Sequence, residues 1–116
     1  MKDQVYQEEP GGTFTHDGVE YDLNVLLRLT ASQTPQLVSV RKLEWVLEYD
    51  TPDPLRVARA DLNAPVIVMH DRKDGKERWT VLDGLHRLAL AKKLNVRFIR
   101  ARIVEPEILI HLIPAR

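Results

Sequence analysis

Asp83, Gly84, His86 and Arg87 stand together inside the stretch WTVLDGLHRLALAKKL, residues 79–94. A strand pattern gives way to helical spacing there, so His86 and Arg87 fall in the first turn of a helix. That end of a helix exposes unpaired N–H groups and carries partial positive charge, which disfavours cations by up to about 1 kcal/mol. A bound anion would reverse the sign. Backbone N–H groups, the helix dipole and the Arg87 guanidinium would then all address one charge. Gly84 suits such a turn, because it permits a tight backbone and has no Cβ to keep a phosphate away. Asp83 can cap the helix, pair with Arg87 or hold a metal. A plain strand–turn–helix junction, with Asp83 as N-cap and both basic residues at the surface, satisfies the same pattern.

The elements that must position these residues can be read along the chain. Residues 1–18 read as a polar, acidic N-terminal arm, broken by Pro10-Gly11-Gly12 and Asp17-Gly18. A short strand is predicted over 19–23, a helix over 24–32 with Asn24 as cap, a strand over 37–41 and a helix over 42–49. Asp53-Pro54 has the form of an N-cap followed by a first-turn proline, so a helix is predicted over 54–62. Strands are predicted over 66–70 and 77–82, joined by a hairpin loop at 71–76 that contains Asp74-Gly75. Helix 85–94 should turn Leu85, Leu88 and Ala89 toward the sheet and leave His86 and Lys93 on its polar stripe. A strand over 96–104 follows, then a terminal element open between helix and strand. The result is a mixed α/β (α+β) chain, a mixed sheet with packed helices.

Composition narrows the classes. The chain has 116 residues, of which 44% are hydrophobic, and no cysteine. One domain over 19–116 is expected. Disulfides, thiolate metal sites and a cysteine nucleophile are excluded. The polar N-terminus does not resemble a signal peptide, and no apolar run approaches the roughly 20 residues of a membrane span. A cytoplasmic protein with no membrane partner is therefore expected. Net charge is zero but unevenly spread: residues 84–104 hold six bases and no acid, while 1–22 hold six acids and one base. Charge alone assigns this to solvated surface, and the acidic arm could act as a screen over the basic face.

The stretch VLDGLHRLALAKKLNVRFIRARIV resembles the core of the ParB N-terminal domain and sulfiredoxin superfamily: a strand, a Gly-x-(His/Arg)-Arg turn, a helix with Ala and Leu at packing positions, and a following strand. LVSVRKLEW is similar to the family's first strand and helix, and PDPLRVARADLNAPVIVM to its Pro/Arg segment, helix and central strand. The resemblance covers roughly residues 37–104. It implies a compact stand-alone ParB/sulfiredoxin-like fold, with nucleotide phosphates at the helix N-terminus on Gly84, Leu85, His86 and Arg87. The ligand implied is ATP, ADP or CTP with Mg²⁺, and the chemistry is nucleotide hydrolysis or phosphoryl transfer. Glu44 falls where kinase-like members carry a catalytic carboxylate, and Glu44 with His86 form the candidate catalytic pair. Arg56 resembles the arginine after the family's Pro segment and would reach a phosphate. Lacking cysteine, the chain departs from sulfiredoxin chemistry, and its length leaves no room for the DNA-binding and dimerisation modules of a full ParB.

Each of these residues also has an ordinary explanation. Glu44 reads as an exposed helix glutamate, Asp53 as an N-cap, and Arg56 as half of a surface ion pair. His70, Asp71, Asp83 and His86 could build an oxygen–nitrogen metal site, with Asp83 the foremost candidate ligand, but their spacing matches no metal motif. Trp45 and Trp79 read as core aromatics rather than base-stacking platforms. Lys92, Lys93, Arg100 and Arg102 could track a DNA backbone, which makes a DNA binder or nuclease the second reading, or they could protect an edge strand. A non-catalytic regulatory or interaction protein is the third, and is expected if an internal carboxylate such as Asp83 holds Arg87. A homodimer is counted among the expected assemblies.

Overall fold

Asp17-Gly18 and Asp74-Gly75 are the two turns on which the β-structure is built. Both pairs have positive φ, 50° and 79° at the first, 53° and 79° at the second, which is the backbone of a two-residue hairpin turn matched to strand twist. The computed structural model describes residues 12–114. These fall into two compact units, residues 12–32 with 107–114, and Gln33–Pro106.

In the first unit, β1 (Thr13–His16) pairs antiparallel with β2 (Val19–Asp22), and Phe14 stacks on its cross-strand partner Tyr21. Of the stretch read as an arm, residues 1–11 lie outside the described residues, and Thr13–His16 is a paired strand. Helix α1 (Leu23–Thr30) is capped by Asp22, whose carboxylate accepts from the Val25 N–H, and not by Asn24. Asp22 ends the strand in extended geometry and is thus already placed to receive that N–H. The terminal element, open from sequence, is a 3₁₀ segment over Pro106–Leu112.

The second unit is built on a four-stranded mixed sheet in the order β3 (Gln36–Ser39), β6 (Phe98–Val104), β4 (Val66–Lys73), β5 (Lys76–Asp83). β4 runs parallel to β6, and the other pairs are antiparallel. Strands β4 and β5 extend through the stretch expected as a loop, leaving only Asp74-Gly75 as the turn. The charges that suggested a loop are cross-strand partners instead: Asp71 faces Arg78 in register and accepts two bonds from its guanidinium, at 3.1 and 2.8 Å.

Helix α2 (Val40–Leu43) passes directly into a 3₁₀ segment, Glu44–Glu48, in place of a continuous helix over 42–49. Helix α3 (Pro54–Ala58) is shorter than its sequence pattern, although Asp53 caps it as expected. Helix α4 (Leu85–Lys93) carries the chain from β5 to β6. Leu88 and Ala91 are its fully buried residues, joining Val38, Val40, Leu43, Val46, Val66, Val68, Ile99 and Ala101 in one core. The buried stripe therefore runs 88/91, with Leu85 and Ala89 only partly covered. β4 is buried on both faces from Val66 to Met69, as an inner strand should be. No helix among the described residues is long and apolar enough to cross a membrane.

Candidate functional site

The β5–α4 junction is shaped by a β-bulge. Val68 pairs with Val81 but Ile67 with Asp83, so Leu82 is the extra residue and Asp83 ends the strand re-aimed. Gly84 follows with φ 109°, a conformation that costs a side-chain-bearing residue about 1–3 kcal/mol. A Cβ on Gly84 would also lie 2.5 Å from Val66 Cγ1. The glycine is thus required by its backbone and by the close approach of β4. The space that sequence reasoning kept clear for a phosphate on the Cβ side is filled by Val66.

Asp83 does not cap α4. The N-cap is Gly84, which has no side chain to offer, whereas α1, α2 and α3 are capped by the side chains of Asp22, Ser39 and Asp53. The first bond inside α4 runs from the Leu88 N–H to the Gly84 carbonyl. The N–H groups of Leu85, His86 and Arg87 precede it and have no intrahelical acceptor.

Side chains from two helices converge on this turn. Burial holds the Asp83 carboxyl above its ordinary value of 3.8, opposed by the neighbouring charges of Arg87 and Arg56. His86 Nε2 accepts the Asp53 backbone N–H at 3.1 Å, so the ring is a neutral acceptor that ties the start of α4 to the start of α3. Burial, then the charge of Arg56, lowers its pKa from 6.5, and Asp53 opposes them. His86 is therefore no cation at the positive end of the helix, and half of the electrostatic conflict read from sequence disappears. Arg87 Nη1 donates to the Pro65 carbonyl at 3.3 Å. Asp83, Gly84, Leu85, His86, Arg87 and Arg56 are thus brought together.

The other expected site residues are not. Glu44 pairs with Lys92, Oε1 to Nζ 3.6 Å, and Lys92 lies about 9 Å along the helix from His86 at ~1.5 Å per residue. Lys93 is exposed near the same far end. Arg100 donates to the Asn63 carbonyl and Arg102 to the Gln33 carbonyl, both at 2.9 Å. β6 lies inside the sheet, so these arginines do not guard an edge. They hold the loops that lead into β4 and β3. His70 stacks on Trp79 and faces Glu77 at 3.6 Å, and Asp71 is bound to Arg78, so neither joins Asp83 and His86. Among the described residues no group of three acidic or histidine side chains is placed to hold a metal ion.

Three participants in the site gave no sequence signal: the Pro65 carbonyl, the Asp53 N–H and the Val66 side chain. The first two are backbone groups, and the third looks like any core valine. No protein-family model matches this chain, and no curated protein sequence matches it.

Proposed function

We propose that the unit Gln33–Pro106 binds the phosphates of a nucleoside di- or triphosphate (ATP, ADP or CTP) at the first turn of α4. The observation that carries this reading is the missing cap. Among the described residues, the α-helices α1, α2 and α3 are closed by a side-chain oxygen, and α4 is the α-helix that presents its N–H groups with no side-chain acceptor, beside Arg56 and Arg87. A phosphate there would take the place of the cap, gain the dipole and meet two guanidiniums. The resemblance of residues 37–104 to ParB/sulfiredoxin-like domains points to the same turn, and a nucleotide ligand agrees with a cytoplasmic chain that has no cysteine.

Binding is better supported than cleavage. Phosphoryl transfer needs a group to orient the nucleophile and usually a divalent cation. Glu44 stands at the far end of α4, and Asp83 is the carboxylate at the turn. A magnesium ion arriving with nucleotide would draw most of its ligands from phosphate and water, with Asp83 as its protein oxygen.

Calorimetric titration of ATP, CTP and ADP with Mg²⁺ tests the proposal. At least one should bind, and Arg87→Ala should weaken it roughly tenfold or more, the value of one charge-assisted bond. If no nucleotide binds, or Arg87→Ala leaves the affinity unchanged, the turn is a purely structural junction and the interaction-protein reading replaces this one.

A further inference from the structure

A second region of the same unit has features the turn lacks. An open groove of about 680 Å³ runs beside the β4–β5 hairpin, lined by Lys42, Trp45, Lys73, Lys76, Arg78 and Trp79. Asp74 and Glu77 are its carboxylates, so four cations face two acids. Glu77 already faces His70, Arg78 is held by Asp71, and Lys73 is engaged in an interaction of its own. Of the four cations, Lys42 and Lys76 are then those on which a ligand would draw.

Trp79 is the centre of the groove. His70 stacks on it with ring centroids 4.0 Å apart and planes 11° from parallel. The Lys42 ammonium sits over the indole, 5.0 Å from its centroid. With the imidazole against one face, the lysine covers the other. A flexible, solvated side chain is thus what lies over that ring face. Trp45 stands alongside, its indole N–H donating to the Trp79 carbonyl at 2.9 Å, and exposed Tyr49 meets the edge of Trp45.

We propose that this groove binds single-stranded nucleic acid. One base would slide onto Trp79, extending the His70–Trp79 stack by a layer, and the displaced Lys42 ammonium would meet a backbone phosphate. Lys76, across the groove, would meet another. Base–aromatic stacking on an open cationic track is the means by which unpaired strands are held without sequence preference. A paired duplex buries its base faces and cannot make that contact. A small-molecule pocket would enclose most of its ligand, and this groove does not. The inference is independent of nucleotide binding at the α4 turn.

The test uses the full chain and a labelled oligothymidylate of about 15 nucleotides. Fluorescence anisotropy should show binding that weakens with salt, and a duplex of equal length should bind at least about tenfold more weakly. Lys42→Gln with Lys76→Gln should lower affinity roughly tenfold and flatten the salt slope by about 1.4, two phosphate contacts at ~0.7 each on single strands. Arg28→Gln, an exposed cation that does not line the groove, should change neither. Binding should quench tryptophan emission, and the quench should persist in Trp45→Phe but fall sharply in Trp79→Phe. The proposal is overturned if binding is absent or insensitive to salt, if duplex binds equally well, if the double lysine variant behaves as the parent, or if the quench follows Trp45. Thymidine triphosphate competing as well as the oligomer at equal phosphate would overturn it too, because the groove would then be a mononucleotide site.

Discussion

Arg56 with Arg87, and Arg100 with Arg102, are two arginine pairs of equal charge and different employment. On β6 each guanidinium ends on a loop carbonyl at 2.9 Å. Gln33 adds a return bond to the Ile103 carbonyl at 2.8 Å, so Gln33 and Arg102 clasp the strand to the segment that leads into β3. At the α4 turn, Arg87 has a longer bond to Pro65 and the largely buried Asp83 carboxyl beside it, and Arg56 contributes charge to the same place. A guanidinium bonded to a loop carbonyl far from any helix end fixes architecture. One set beside an uncapped helix end, next to a carboxyl whose charged form burial disfavours, also adds positive charge at a place where an anion can be received. Basic clusters must be told apart by what already occupies their donors.

The largest effect should come from the glycine that forms the turn. Gly84→Ala combines a positive φ with an overlap on Val66, and should cost about 3 kcal/mol or more in urea denaturation. Adding Val66→Ala would remove the 2.5 Å contact with Cγ1 but keep the Val66 Cβ at 2.9 Å and the backbone strain, so the double variant should recover only part of the loss. Full stability in Gly84→Ala would mean the close approach to β4 is not what fixes the junction.

The arginine contrast itself comes next. Arg102→Ala should lower stability by roughly 1–2 kcal/mol, because the Gln33 carbonyl loses a charged donor. Its nucleotide and oligothymidylate affinities should stay within about twofold of the parent. Arg87→Ala should do the reverse, losing affinity with little change in denaturation midpoint. Equal behaviour of the two would erase the distinction drawn between the regions.

The smallest effect is a pH dependence. The unfolded His86 takes up a proton more readily than the folded one, whose Nε2 is engaged by Asp53. Its contribution to stability is therefore complete above 6.5 and is lost as the pH falls through its lowered folded value. Asp83 has the opposite sign: its raised value gives stability that is complete below 3.8 and lost as the pH rises through the folded value. His86→Gln keeps an acceptor toward Asp53 and removes the titration. The stability of the parent relative to this variant should decline on acidification below 6.5, and the gap should be constant above it. Parallel curves at every pH would show that His86 does not titrate through this bond.

Much of this was legible in the residues. The Asp53-Pro54 start of α3, the Asp74-Gly75 turn, the strand–helix junction at 83–85 and the mixed α/β class all follow from local rules of capping, turn chemistry and periodicity. The hairpin's length was not, because cross-strand ion pairs such as Asp71–Arg78 look like loop polarity until their register is known. Glu44 was linked to the turn only through the resemblance to kinase-like members, and the 3₁₀ segment that carries it sets it against Lys92 instead.

The sequence by itself determined that an Asp-Gly-Leu-His-Arg segment would open a helix, and that anion chemistry was the question to ask there. It also set the pool of cations. Only the tertiary structure decided which cations are committed, that His86 is an acceptor, and that Val66 and not a ligand fills the space beside Gly84. The physical reason is that these outcomes depend on backbone carbonyls and N–H groups, which residue type hardly marks, and on a core valine that looks like any other. Folding alone brings Pro65, Asn63, Gln33 and Asp53 to the side chains that use them.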